Sequence, residues 1–489
     1  MRKVLFAVVA LAICSGLLAV RPAAAKPISG EISITSKSKE AVEAFKRGRD
    51  YVEDVRTVEA LEQFNQAIKL DPDFALAHAY LGSSTPGKEG LVHIERAASL
   101  AKELPEAEKT SIDILLAQRR GEEEKARSLR QSLATMAPND WRVYADLGEQ
   151  LSGERKWNQA IAELRKAAVL NPSAGSVHNT MGYVYINMGN NDQAVESFQK
   201  YAELKPTEPN PQDSLAEALM AAGRFEEAEA AFRKAAEISP QFWIAWDGVA
   251  QTKFLRNDWA GGREALAKAK AAATRPFDKL EADLSLAWSY AAAGDYKQAM
   301  ATVDAVEKAA AAEKVDVLEA FVRIDRAILL KETGKYEDAL KEQHEALEMA
   351  QRAKLPGGSM NALRRTALIV RIDAESKLGR AADAKKTLAL LEEEAKKAPA
   401  NAELKSSLHF GQGAEAIARG DAKAAAQHFS QCDDDDFYCR LQLAKAQEKA
   451  GDKTGAEATR TQLLAANRRG PLYLWVRSEV TEKAEATAR

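Results

Sequence analysis

Residue types able to do chemistry are present in this chain, but not in the groupings that chemistry needs. Six histidines occur, at His78, His93, His178, His344, His409 and His428. None sits beside another at metal-binding spacing. His344-Glu345 lacks a second histidine three residues on, so the metalloprotease zinc helix fails. His409 and His428 fall within one expected hairpin, with no further ligand set beside them. The sequence holds neither a phosphate-cradling Gly-x4-Gly-Lys loop nor a Gly-x-Ser-x-Gly nucleophile turn. The 72 aspartates and glutamates are spread throughout, so they single out no acid–base pair for glycan cleavage. These patterns argue against an enzyme, and neither a metal nor an organic cofactor is expected.

Cysteine chemistry is more specific. Cys14 lies in an N-terminal apolar run, which leaves Cys432 and Cys439. They bracket Asp433-Asp434-Asp435-Asp436, expected to be a turn between two antiparallel helices. A disulfide across that turn suits an oxidising compartment. In chain-entropy terms so short a loop would stabilise by roughly 2–3 kcal/mol. Two buried small thiols are the alternative reading. The aspartates lack the glycine and spaced glutamate of a calcium loop. They suit the N-terminus of a helix from Phe437, where the aligned peptide dipoles favour negative charge.

The elements that must position these residues follow from a repeat. Ala160, Ala194 and Ala228 are 34 residues apart, as are Pro172, Pro206 and Pro240. Leu164, Phe198 and Phe232 keep the step, and so do Gly148, Gly182 and Ala216. An earlier unit opens at Ala41 and places Gly48, Tyr51, Ala60, Phe64, Ala67 and Pro72 at the same offsets. The small residues let two helices approach closely, the aromatics fill the space between hairpins, and proline stops the second helix. One hairpin cannot bury its own apolar face, so units of this kind stack.

These positions resemble the tetratricopeptide repeat family. The resemblance implies an all-α, right-handed superhelical solenoid of antiparallel helix hairpins. Counting units gives about twelve. The regular array is expected over residues 38–274, strict from Trp141 to Phe242. A divergent array follows over 275–470. There glycine and an alanine five residues on recur at Gly294/Ala299, Gly334/Ala339, Gly379/Ala384, Gly420/Ala425 and Gly451/Ala456. Residues 471–489 form a terminal helix and tail, whose Leu472, Leu474, Val476 and Val480 are placed to seal the last open apolar face.

The N-terminus carries a targeting pattern. Arg2 and Lys3 precede an apolar run from Val4 to Val20, and Ala23-Ala24-Ala25 offers small residues for cleavage. Residues 1–25 are therefore expected to be a signal peptide cleaved after Ala25, with residues 26–37 a flexible lead-in. Export to the periplasm or exterior follows. A retained anchor is the alternative. The formal charge is −3, and losing Arg2, Lys3 and Arg21 brings it to −6. Without a long basic block, nucleic acid is not an expected partner, and no membrane span is expected after cleavage.

The family resemblance also implies a concave groove lined by first helices. Offsets 2, 5, 9, 12 and 13 place Asn179, Tyr183 and Asn187 there, then Asn210, Asp213, Glu217 and Met220, then Asp247, Gln251 and Phe254. Amides pair with an extended peptide backbone, while Tyr183 and Phe254 offer apolar anchors. Lysine and arginine are missing from these positions, so an acidic C-terminus fits poorly and a neutral or basic segment fits better. A solvated polar face is the bland reading. The expectation is a non-catalytic scaffold of the cell envelope that binds polypeptide segments. A polysaccharide-associated protein, as export scaffold or glycan-cleaving toroid, is the alternative.

Overall fold

The expected repeats fold into successive pairs of helices packed on each other. The computed structural model describes residues 30–53, 56–85, 87–355, 357–397 and 401–488. The expected signal peptide, its cleavage point after Ala25 and the start of the lead-in lie outside the described residues.

Contacts divide the chain into two units, Met1–Pro172 and Ser173–Arg489. The first contains four hairpins: α1 (Lys39–Glu53) with α2 (Thr57–Leu70), α3 (Ala75–Ser84) with α4 (Gly87–Leu100), α5 (Glu106–Arg119) with α6 (Glu123–Met136), and α7 (Trp141–Gly153) with α8 (Trp157–Leu170). The second opens with α9 (Gly175–Asn187) and α10 (Asn191–Leu204), α11 (Pro209–Ala221) and α12 (Phe225–Ile238), and α13 (Trp243–Leu255) and α14 (Trp259–Ala272). Longer pairs follow: α15 (Pro276–Ala292) with α16 (Tyr296–Ala312), α17 (Asp316–Glu332) with α18 (Tyr336–Arg352), and α19 (Gly357–Lys377) with α20 (Ala381–Lys397). The last are α21 (Ala402–Ala418) with α22 (Ala422–Phe429) and α23 (Phe437–Lys449) with α24 (Lys453–Ala465), before the single α25 (Pro471–Ala488). The fold is all-α, and the described residues make twelve hairpins, as repeat counting predicts. No described helix is long and apolar enough to cross a membrane.

Close helix approach is steric in origin. A Cβ on Gly182 would lie 2.5 Å from the Phe198 ring, and one on Gly262 would lie 2.2 Å from the Phe254 ring. Glycine at 262, where the repeat usually has alanine, thus makes room for a buried phenylalanine. The turn glycines Gly294, Gly334, Gly379, Gly420 and Gly451 have φ of 71–87°, the left-handed conformation that ends one helix and starts the next.

Residues 30–37, expected as a flexible lead-in, are fastened in the first unit. The backbone N–H of Thr35 donates to Glu108 at 2.9 Å, and its hydroxyl donates to the other carboxylate oxygen at 2.7 Å. Ser36 and the Lys37 N–H donate to Asp71. Burial of Glu108 pushes its carboxyl up, against these hydrogen bonds. Without residues 33–35 this buried acid would lose its donors.

Candidate functional site

Three successive first helices in the second unit carry a ladder of polar side chains. Asn179, Asp213 and Asp247 occupy the same offset, one period apart, on α9, α11 and α13. Tyr183, Glu217 and Gln251 repeat the step one helical turn later. Packing draws these rows together. The Tyr183 hydroxyl donates to Glu217 at 3.1 Å and lies 3.2 Å from the Ser214 hydroxyl, which donates to Asn179 at 3.2 Å. The Tyr183 ring stands edge-on to Phe198 at 5.0 Å.

The ladder is occupied by the chain itself. Between α24 and α25, residues 466–470 place Arg469 among the carboxylates. Its guanidinium donates to Glu217 at 3.2 Å and to Asp247 at 3.1 and 3.2 Å, with both Asp213 oxygens 3.5 Å away. It also donates to the Ile244 carbonyl and lies 5.5 Å from the Phe232 ring. Arg468 donates to the Ile186 carbonyl at 3.1 Å, in the last turn of α9, where the negative end of the helix dipole favours a cation.

The electrostatics are unbalanced. Asp213 is 6% exposed and Asp247 9% exposed. Burial pushes the Asp213 carboxyl up, opposed by Arg469 and reinforced by Glu217 and Asp247. Burial works against the charge on Arg469, but the surrounding carboxylates outweigh it and raise its pKa. One guanidinium thus faces three carboxylates.

The remaining sequence-selected residues separate. Asn210 donates weakly to the Tyr201 hydroxyl at 3.4 Å, and Asn187 is exposed. Met220 and Gln251 are buried. Phe254, expected as a groove anchor, is 1% exposed and packs 5.5 Å from Trp259 in the interior of its own hairpin. Its aromatic character serves the core, because offset 12 on this helix turns inward. Sequence reasoning missed Arg468 and Arg469. The available signal was the only adjacent arginine pair between the last two helices, next to a Gly470-Pro471 break.

Other reactive residues form no second site. Cys432 and Cys439 are joined in a disulfide with Cα atoms 6.4 Å apart. With Asp436 they are the sole trio of metal-capable side chains among the described residues, and both sulfurs are already bonded. Asp436 instead caps α23, accepting from the Cys439 N–H. His78 and His93 come together, Nδ1 to Nδ1 at 3.1 Å, and His409 stacks with His428 at 6.4 Å between ring centroids.

Three segments match the tetratricopeptide repeat family by sequence: residues 175–208, 212–242 and 280–305. The chain carries tetratricopeptide repeats. The first two segments contain the α9 and α11 parts of the ladder, so the site is built on the repeats. Repeat proteins of this kind generally act as non-catalytic interaction scaffolds. Among solved structures, the chain is similar to MamA from Desulfovibrio magneticus RS-1, at 17% identity over 34% of this chain and 94% of that one, TM-score 0.32. It is also similar to a tetratricopeptide repeat protein from Parabacteroides merdae ATCC 43184, at 13% identity over 68% of this chain and 99% of that one, TM-score 0.34. A thermophilic tetratricopeptide-repeat protein from Thermus thermophilus shares 21% identity over 43% of this chain and 98% of its own, TM-score 0.29. No curated protein matches the chain by sequence.

Proposed function

We propose that this repeat protein is an exported, non-catalytic scaffold that holds polypeptide segments against the first helices α9, α11 and α13. The observation that carries the reading is the seating of residues 468 and 469 of the chain itself on that face, through side chains that bind carboxylates and the backbone carbonyls of Ile186 and Ile244. A surface that binds one non-helical stretch of peptide has the polar partners to bind another. Its acidic rungs favour neutral or basic segments. Export rests on Arg2-Lys3, the Val4–Val20 run and the alanines up to Ala25, and it gives the Cys432–Cys439 disulfide an oxidising compartment.

The test is site-directed photo-crosslinking in the native envelope. A photoreactive residue replaces exposed Asn187, beside the ladder, and captured proteins are compared with those of a chain also carrying Asp213→Asn and Asp247→Asn. Capture that depends on the carboxylates supports the groove. Identical capture by both chains, or none by either, removes it. Detection of the protein with residues 1–25 intact in the cytosolic fraction would remove the export assignment.

A further inference from the structure

We infer that the acidic ladder is a binding site for an arginine-bearing segment of a partner polypeptide, and that Arg468-Arg469 fills it as a resident self-ligand which such a segment displaces. This rests on the groove reading above and names its ligand class.

The choice of arginine follows from geometry. The guanidinium spans two helices, reaching Asp213 and Glu217 on α11 and Asp247 and the Ile244 carbonyl on α13. A planar fork of five N–H donors can do this while also lying against Phe232, whereas an ammonium is a point donor. The site also keeps capacity that the resident arginine does not use. Asp247 Oδ1 is buried and has no hydrogen-bond partner among the described residues. Three carboxylates share one guanidinium, so an incoming segment with more than one cation would neutralise the cluster better than residue 469 does.

The resident segment is suited to exchange. Residues 466–470 form a short non-helical link, with Asn467 at φ 46° and Gly470 at φ 138°. Its far side is anchored independently of the ladder. Tyr473 donates to the Leu463 carbonyl, and buried Trp475 donates to the Tyr296 hydroxyl at 2.9 Å. Leaving the carboxylates costs the link the bond from the Asn467 N–H to the Tyr473 hydroxyl at 2.8 Å, while Trp475 keeps α25 docked. A tethered ligand acts at an effective concentration on the order of millimolar. If its intrinsic dissociation constant were about 10–100 μM, it would weaken an incoming peptide about tenfold to a hundredfold.

The experiment uses the full chain and a fluorescent peptide of residues 464–473, Leu-Ala-Ala-Asn-Arg-Arg-Gly-Pro-Leu-Tyr. A control peptide has alanine in place of both arginines. We expect Arg468→Ala/Arg469→Ala protein to bind the arginine peptide about tenfold to a hundredfold more tightly than wild type. Adding Asp213→Asn/Asp247→Asn should abolish that gain, and the alanine peptide should not bind. Equal affinity of opened and wild-type chains, or of the two peptides, overturns the proposal. Circular dichroism checks that the opened chain folds. If it does not, saturating arginine peptide added to wild type should accelerate hydrogen exchange at residues 466–470, and unchanged exchange overturns the proposal. Carboxylate-dependent crosslinking at Asn187 together with failed peptide binding would leave the groove standing and remove only its arginine ligand. Failure of both removes the groove.

Discussion

Hairpins α9–α14 and α15–α20 solve the same packing problem with different chemistry. Helices of the first set have 13 or 14 residues, and those from α15 to α18 have 17 each, nearly one turn more. The early set packs glycine and alanine against aromatic rings. In the later set the step varies: the turn glycines Gly294, Gly334 and Gly379 lie 40 and then 45 residues apart. The longer hairpins also bury charge. Lys331 on α17 is 3% exposed and pairs with Asp373 on α19 at 2.6 Å. The Tyr438 hydroxyl lies 2.7 Å from Asp373 and 2.8 Å from Glu332, and also contacts Lys331. Arg326 bridges α16 and α18 through Asp304, Glu307 and Glu342. Steric fit needs a repeated small residue and so leaves a period in the sequence. Charge pairing needs particular partners far apart in the chain and leaves none.

Removing one charge from the later set tests that contrast most sharply. Asp373→Ala leaves buried Lys331 with only Glu332 and the Tyr438 hydroxyl among the described residues and should destabilise by about 3 kcal/mol in urea unfolding. Lys331→Met/Asp373→Leu should recover most of the loss. A cost under about 1 kcal/mol for the single change would mean that the pair is not desolvated.

The pair also sets a pH window. Burial opposes ionisation of Asp373, but Lys331 and Lys377 outweigh it and hold its carboxyl below the usual carboxylate range. Burial likewise opposes the charge on Lys331, yet Asp373 and Glu332 raise its pKa above the ordinary lysine value. The Asp373 contribution is full above the ordinary aspartate pKa near 3.9 and is lost as pH falls through the depressed value. The Lys331 contribution is full below about 10.4 and is lost as pH rises through the raised value. Protection of the α19 amides, taken relative to the intrinsic exchange rate at each pH, should therefore stay flat between these limits. Asp325, on α17 with Lys331, is pushed up to about 7 by burial and titrates inside this window, so the measurement uses an Asp325→Asn chain, in which a midpoint near neutral pH would break the assignment.

Reducing the Cys432–Cys439 bridge should cost about 2–3 kcal/mol, read as a lower melting point with reductant. Labelling of both thiols in native, freshly isolated protein would contradict the bridge. In the early set, Gly182→Ala puts a methyl 2.5 Å from the Phe198 ring and should cost about 1–3 kcal/mol. A neutral result would show that the α9–α10 interface relaxes freely. The smallest effect belongs to the exposed α10 pair: Lys200→Ala, which removes a 3.1 Å contact with Glu203, should change stability by less than about 0.5 kcal/mol.

Much of the ladder was legible in the sequence because offset and period together assign a helix face. Asn179, Asp213 and Asp247, and likewise Tyr183 and Glu217, were selected that way, and the structure brings them into one row. Phe254 shows where the method fails. An offset places a side chain near the edge of a face, and the Gly262 opposite it let the ring turn into the core. Arg469 was illegible because it lies 222 residues from Asp247, and no local spacing reports so distant a pairing.

The sequence alone determined the hairpins, their number and the register of the early ones, because helix periodicity, turn glycines and terminal prolines act within a few residues. The tertiary structure decided which polar residues are desolvated, that Lys331 meets Asp373 and Tyr438, and that residues 468 and 469 return to the acidic rungs. Those outcomes depend on where the stacking hairpins bring distant segments, and on whether burial makes a charge seek a partner.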